Sequence, residues 1–289
     1  MPTRRTVLGG SAALLATAAA GCAAVKPTTS SRTLALAGVP IEVTTYRPAG
    51  WAGAGILLHF HGLGSHPAGE LGAITHLADR SGRLIVAPYF DRERFPFWRY
   101  QCVGILKDRI QQPEAERTGV LIASLIETVR KSEGAALEVR LMGHSAGGQF
   151  VERVAAFHDL SAVRFVAANP AAALVPSRDL PFPYGFGGLS EDLSGDEAIR
   201  KYLSRPLVLF VGELDSQDQG VPDNSADAQR QGATRLERAR FAFEAGKSLA
   251  HERGWAFNWR YATRPGIGHN LRGMFAGDFG YDIVFGPTI

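Results

Sequence analysis

Polarity alternates with a period of two along Ile41-Glu42-Val43-Thr44-Thr45-Tyr46, the pattern of a half-buried strand, and turn residues then lead from position 48 to 55. The run Ile56-Leu57-Leu58-His59-Phe60 reads as a buried strand, residues 73–81 as a helix and residues 83–87 as the next strand. Over residues 114–131 the apolar positions Leu121, Ile122, Leu125, Ile126 and Val129 recur every three or four residues, which predicts a helix with one buried face. Strand 137–142, helix 149–157 and strands 163–168, 206–211 and 257–261 follow, with one long helix over 226–253. Strands alternating with helices predict a mostly parallel, doubly wound sheet flanked by helices, with ligands at the carboxyl ends of the strands.

Two stretches interrupt this rhythm. Residues 89–100 set Phe90, Phe95, Phe97 and Trp98 among charged side chains, and residues 169–195 are rich in Pro, Gly and aromatics. Both follow strand ends, so they are expected to form a short cap or loop insertion over a site, with Tyr89, Phe97 and Trp98 as substrate-binding candidates.

The length of 289 residues, with 45% hydrophobic and 20% charged residues, suits one large domain with a substantial core. No uncharged apolar run reaches the roughly 18 residues a membrane-spanning helix needs. The first residues read differently: Arg4 and Arg5 precede a mild Ala/Leu/Gly run ending at Gly21 and Cys22. Residues 1–21 are therefore expected to be an export signal, Cys22 a lipidation site, residues 22–32 a tether and residues 33–289 the folded domain. The paired arginines resemble a twin-arginine signal, and the Ala19-Ala20-Gly21-Cys22 stretch resembles a lipoprotein cleavage box. Periplasm or cell envelope is the expected location, with the membrane reached only through the lipid. Losing the two arginines takes the formal charge from +3 to +1. With no basic stripe, the sequence offers nothing for nucleic acid. Oligomeric state is left open.

Gly143-His144-Ser145-Ala146-Gly147-Gly148 stands directly after the 137–142 strand, a serine on a sharp strand-to-helix turn. A serine hydroxyl is a poor nucleophile at neutral pH and needs a base, and the base needs an orienting acid. His269, in a Gly-rich loop after the last predicted strand, is the candidate base, because His59, His76, His158 and His251 fall within, or at the end of, predicted strands or helices. Asp215 is the candidate acid, with Asp218, Asp223 and Glu213 as rivals on the same acidic loop. The oxyanion needs backbone donors, expected from Ala146 and from Leu63 in His61-Gly62-Leu63-Gly64. His61 is expected to brace that loop and His144 to support the turn. The His59-x-His61 pair lacks the continuation of a metallohydrolase pattern, and Gly246-Lys247-Ser248 lacks the first glycine of a phosphate loop. No metal or cofactor is expected.

These motifs, His-Gly-x-Gly, Gly-His-Ser-Ala-Gly-Gly-Gln-Phe, Gly-Glu-Leu-Asp and Gly-x-Gly-His, occur in the order seen in α/β-hydrolases. From about residue 39 onward the chain resembles the esterase and poly(3-hydroxybutyrate) depolymerase-like group. The resemblance implies the α/β-hydrolase fold and cleavage of carboxylic esters through an acyl-Ser145 intermediate, with Asp215 orienting His269. The substrate would be a small-molecule or oligomeric ester. The same parts would serve an exported polyester depolymerase or an amide or thioester hydrolase, and a surface-tethered binding protein could retain the fold without the chemistry. No module for binding solid polymer is recognisable in the sequence.

Overall fold

The structure, a computed structural model, describes residues 26–134, 136–215 and 223–287. Its strands are β1 (Thr28–Leu36), β2 (Val39–Arg47), β3 (Ile56–Phe60), β4 (Leu84–Pro88), β5 (Leu106–Lys107), β6 (Ile110–Gln111), β7 (Val139–His144), β8 (Arg164–Ala168), β9 (Leu207–Gly212) and β10 (Arg260–Arg264). The helices are α1 (Pro67–Leu71), α2 (Thr75–Ser81), α3 (Gly119–Glu133), α4 (Ala146–Phe157), α5 (Glu191–Ser194), α6 (Asp196–Leu203), α7 (Ala226–Gln229), α8 (Arg235–Arg253), α9 (Leu271–Phe275) and α10 (Gly277–Phe285).

Eight strands form one sheet in the order β1-β2-β4-β3-β7-β8-β9-β10, while β5 and β6 form a separate small ribbon. From β4 across to β10 every pairing in this sheet is parallel, whereas β1–β2 and β2–β4 are antiparallel. This is the α/β-hydrolase fold expected from the alternation of elements. The strand period of two sends successive side chains into opposite layers. In β9, Leu207, Leu209 and Val211 enter a core beneath α3, α4, α6 and α8, whereas Val208 and Phe210 enter a second core beneath α1, α2, α9 and α10. Both faces of the central strands are thus dry, which is why they read as continuous apolar runs.

Several expected boundaries move. Residues 28–32, read from composition as part of a tether, pair with β2 through Thr28↔Arg47 and Arg32↔Val43. The stretch is polar because β1 is an edge strand whose first six residues are exposed on both faces, and β-branched threonines suit that position. The last strand lies at Arg260–Arg264 rather than at 257–261. Trp259 is buried just before it and donates from Nε1 to the Tyr202 carbonyl at 3.0 Å, so the aromatic run marks core packing and not the ladder. The long helix expected over 226–253 is two helices. Thr234 starts the second one with a capping box, its hydroxyl accepting from the Glu237 amide while the Glu237 carboxylate accepts from the Thr234 amide. Helices α6, α9 and α10 lie outside every helix the periodicity predicted.

Candidate active site

The carboxyl ends of β3, β4, β7, β8, β9 and β10 open toward one cavity of about 750 Å³, lined by Leu63, Ser145, Ala146, Arg235 and His269 among others. Ser145 closes β7 and caps α4 with φ 59° and ψ −115°, a conformation that costs free energy for a non-glycine residue and is held by its surroundings. Its amide donates to the Ala168 carbonyl at 2.9 Å, and its carbonyl accepts from the Gln149 amide at 3.1 Å. The turn is so tight that a Cβ on Gly147 would collide with the Phe60 carbonyl and one on Gly143 with Gly147 itself. Glycine at both positions lets α4 leave directly over β3 and β7.

Asp215 sits just past β9 and is buried, 1% exposed. Its Oδ2 accepts from His269 Nδ1 at 2.8 Å, and its Oδ1 accepts from Arg235 Nη1 at 2.7 Å. A proton on Nδ1 leaves Nε2 of His269 as the basic nitrogen. Of the rival acids, Glu213 accepts from the Thr263 hydroxyl at 2.9 Å and Asp223 from the Tyr184 hydroxyl at 2.8 Å. Asp218 and Cys22 lie outside the described residues.

Arg235 was not anticipated. It is the first residue of α8, 4% exposed, and forms a buried ion pair with Asp215 while also facing the cavity. The capping box before it fixes where α8 begins and hence where this guanidinium enters. A partner twenty positions away leaves no local pattern, so nothing in the sequence singled out Arg235.

The remaining histidines brace the site. His61 donates from Nδ1 to the Gly62 carbonyl at 2.8 Å, accepts at Nε2 from the Phe90 amide at 3.1 Å and stacks on Tyr100. Burial lowers its pKa, which suits this neutral tautomer. His144 packs 4.5 Å from the His269 ring, and burial, with the His269 charge second, pushes its pKa down to about 3. A neutral His144 adds no repulsion when its neighbour becomes charged. Asn169, at the end of β8 with φ 47°, donates from Nδ2 toward His144 Nε2 at 3.2 Å and accepts from the Gly212 amide at 2.8 Å, tying three strand ends together.

Leu63, from the loop after β3, and Ala146, from the first turn of α4, face the same cavity. The Leu63 loop is held by Glu70 of α1, whose Oε1 accepts from the Gly62 amide at 3.0 Å and whose Oε2 accepts from His59 Nε2 at 2.7 Å. Burial raises the Glu70 carboxyl, but the His59 contact and the Gly62 amide outweigh it and bring it to about 2. The His59-x-His61 spacing therefore serves two separate hydrogen-bond braces, one on each side of the loop.

Of the three aromatic candidates, Phe97 lines the cavity. Tyr89 and Trp98 do not: Tyr89 packs against His61 and His66, and the Trp98 ring lies beneath Lys107. The apolar wall is supplied instead by Phe90, Phe95, Phe97 and Tyr100. The loop over 89–100 coils back on itself, with the Cys102 amide bonded to the Phe97 carbonyl and the Gly104 amide to the Trp98 carbonyl, which alternates inward and outward rings in a way a sequence run does not reveal. From the 169–195 stretch, Ala171 and Tyr184 reach the cavity.

No protein-family model matches the chain, and no curated protein does. Solved structures do. The poly(aspartic acid) hydrolase-1 of Sphingomonas sp. KT-1 is 27% identical with a TM-score of 0.83, over 90% of this chain and 99% of that one. The poly(3-hydroxybutyrate) depolymerase LpqC of Bordetella parapertussis is 31% identical with a TM-score of 0.74, over 85% of this chain and 86% of that one. The S-formylglutathione hydrolase of Agrobacterium tumefaciens, 15% identical over 89% of this chain and 91% of that one, with a TM-score of 0.51, shares the fold alone. With nearly a third of positions shared along most of both chains, the protein belongs to the family of α/β-hydrolases that includes the Bordetella depolymerase.

Proposed function

We propose that the protein is a serine hydrolase that cleaves carboxylic esters through an acyl-Ser145 intermediate. The observation that carries this reading is the Asp215–His269 hydrogen bond of 2.8 Å beside a serine held at φ 59°, with serine and histidine facing one cavity. Ser145 Oγ attacks the ester carbonyl as His269 Nε2 takes its proton. The Ala146 and Leu63 amides stabilise the oxyanion, and Asp215 stabilises the imidazolium. The imidazolium then gives its proton to the departing alkoxide, leaving the acyl-enzyme and a neutral alcohol. A water, deprotonated by His269, attacks the acyl carbonyl, and the proton returns to Ser145 Oγ as the carboxylic acid leaves.

The kinship to a poly(3-hydroxybutyrate) depolymerase supports an ester substrate, oligomeric or polymeric. An amide substrate is the second reading, favoured by the likeness to a poly(aspartic acid) hydrolase, since the same triad cleaves either bond. The proposed setting is the cell envelope, with residues 1–21 as export signal and Cys22 as the lipid anchor.

Hydrolysis of p-nitrophenyl esters, from acetate to a long acyl chain, tests the mechanism. Ser145→Ala and His269→Ala are each expected to lower kcat by at least about 10³-fold while folding is retained. Substantial activity in the Ser145 variant would sink it. Cleavage of a peptide-like amide, with esters untouched, would favour the second reading.

A further inference from the structure

Two carboxamides in the cavity wall have no role in the chemistry above. Gln149 lies on α4 one turn beyond Ser145 and is 5% exposed, and Gln101, in the loop after Tyr100, is 7% exposed. Both line the cavity, and neither side chain hydrogen-bonds to another described residue. Their polar atoms are not sealed inside the protein either, so the cavity is the place where they meet a partner.

A buried polar group left unpaired costs free energy, so a ligand that displaces water from these carboxamides has to replace the lost hydrogen bonds. An alkyl chain cannot. A carboxamide offers donors and an acceptor but no charge, which matches a neutral oxygen function better than an ion. The same cavity carries the apolar rings of Phe90, Phe95 and Phe97 beside charged groups such as Arg92 and Asp223, so the bound group carries carbon as well as oxygen. We infer that Gln101 and Gln149 determine specificity, selecting acyl groups that bear a neutral hydroxyl, ether or carbonyl oxygen beyond the scissile carbonyl over alkyl groups of the same shape. The inference rests on the serine-hydrolase reading and adds the class of acyl group to it.

The test uses matched p-nitrophenyl esters differing by one oxygen: the methoxypropanoate against the pentanoate, and the oxohexanoate against the methylhexanoate. The readout is the ratio of kcat/KM values within each pair, compared between the unaltered protein and the Gln101→Met and Gln149→Met variants. Comparing ratios cancels the intrinsic reactivity of each ester. In at least one pair the ratio is expected to fall about tenfold or more in each variant, since a site that pairs with a polar group discriminates against its absence. Gln149→Asn, which withdraws the amide but keeps it polar, is expected to give an intermediate ratio. Ratios unchanged in both pairs, beside hydrolysis that depends on Ser145, would overturn this inference alone. Absence of hydrolysis of all four esters, with Ser145 unlabelled by a phosphonate, would overturn the hydrolase reading and this inference with it.

Discussion

The Asp215 carboxylate has two partners, and they do different work. His269 gains orientation from Oδ2, whereas Arg235 at Oδ1 balances a charge that would otherwise be isolated in the interior. Removing one member of a buried ion pair leaves the other uncompensated, which typically costs about 3–5 kcal/mol. Arg235→Met is therefore expected to lower the thermal midpoint strongly and to lower kcat as well, because Asp215 would relax toward water and lose its fixed orientation against His269. Circular dichroism melts beside ester kinetics check both effects. A variant with an unaltered melt and an unaltered rate would show that the pair is dispensable. The sequence marked Ser145, His269 and Asp215 through short motifs, whereas Arg235, Gln101 and Gln149 have only their positions in space to mark them.

At the scale of elements, the site is assembled by tying loops to the sheet. The segment after β3 carries Leu63 and is fastened by Glu70 from α1, itself held by His59. The Glu70 carboxyl lies at about 2, below its ordinary 4.5, because the hydrogen bonds to the charged form outweigh burial. A depressed pKa in the folded state contributes stability that is present above pH 4.5 and is lost as pH falls toward 2. Glu70→Gln is accordingly expected to melt below the unaltered protein near neutrality and to approach it in acid. Melts across that window decide the matter, and a constant difference at every pH would refute the charge's role. Such ties are invisible to periodicity. Hydrophobic period located β3, β4, β7, β8 and β9 because both faces of each are dry, but it missed the edge strand β1 and misplaced β10, which is partly exposed throughout.

For the molecule as a whole, the sheet splits the core into two layers and gathers six strand ends around one opening, while no helix among the described residues is long and apolar enough to cross a membrane. The membrane attachment proposed for this protein is through Cys22. In a cell that processes its signal, the full chain is expected to fractionate with membranes and to incorporate labelled acyl chains, and Cys22→Ala to shift it to the soluble fraction. A soluble, unlabelled unaltered protein would remove the anchor from the proposal. The sequence by itself determined the alternation of strands and helices, and with it the fold class, because apolar period and turn residues are local properties of the chain. It also determined the tight turn at Ser145, because Gly143 and Gly147, whose missing side chains let a helix leave a strand so sharply, stand close together in the sequence. Tertiary structure alone decided which arginine neutralises Asp215, and which aromatics and carboxamides face the cavity. Those contacts join residues far apart in the chain, and they arise only when the packed sheet brings its strand ends together.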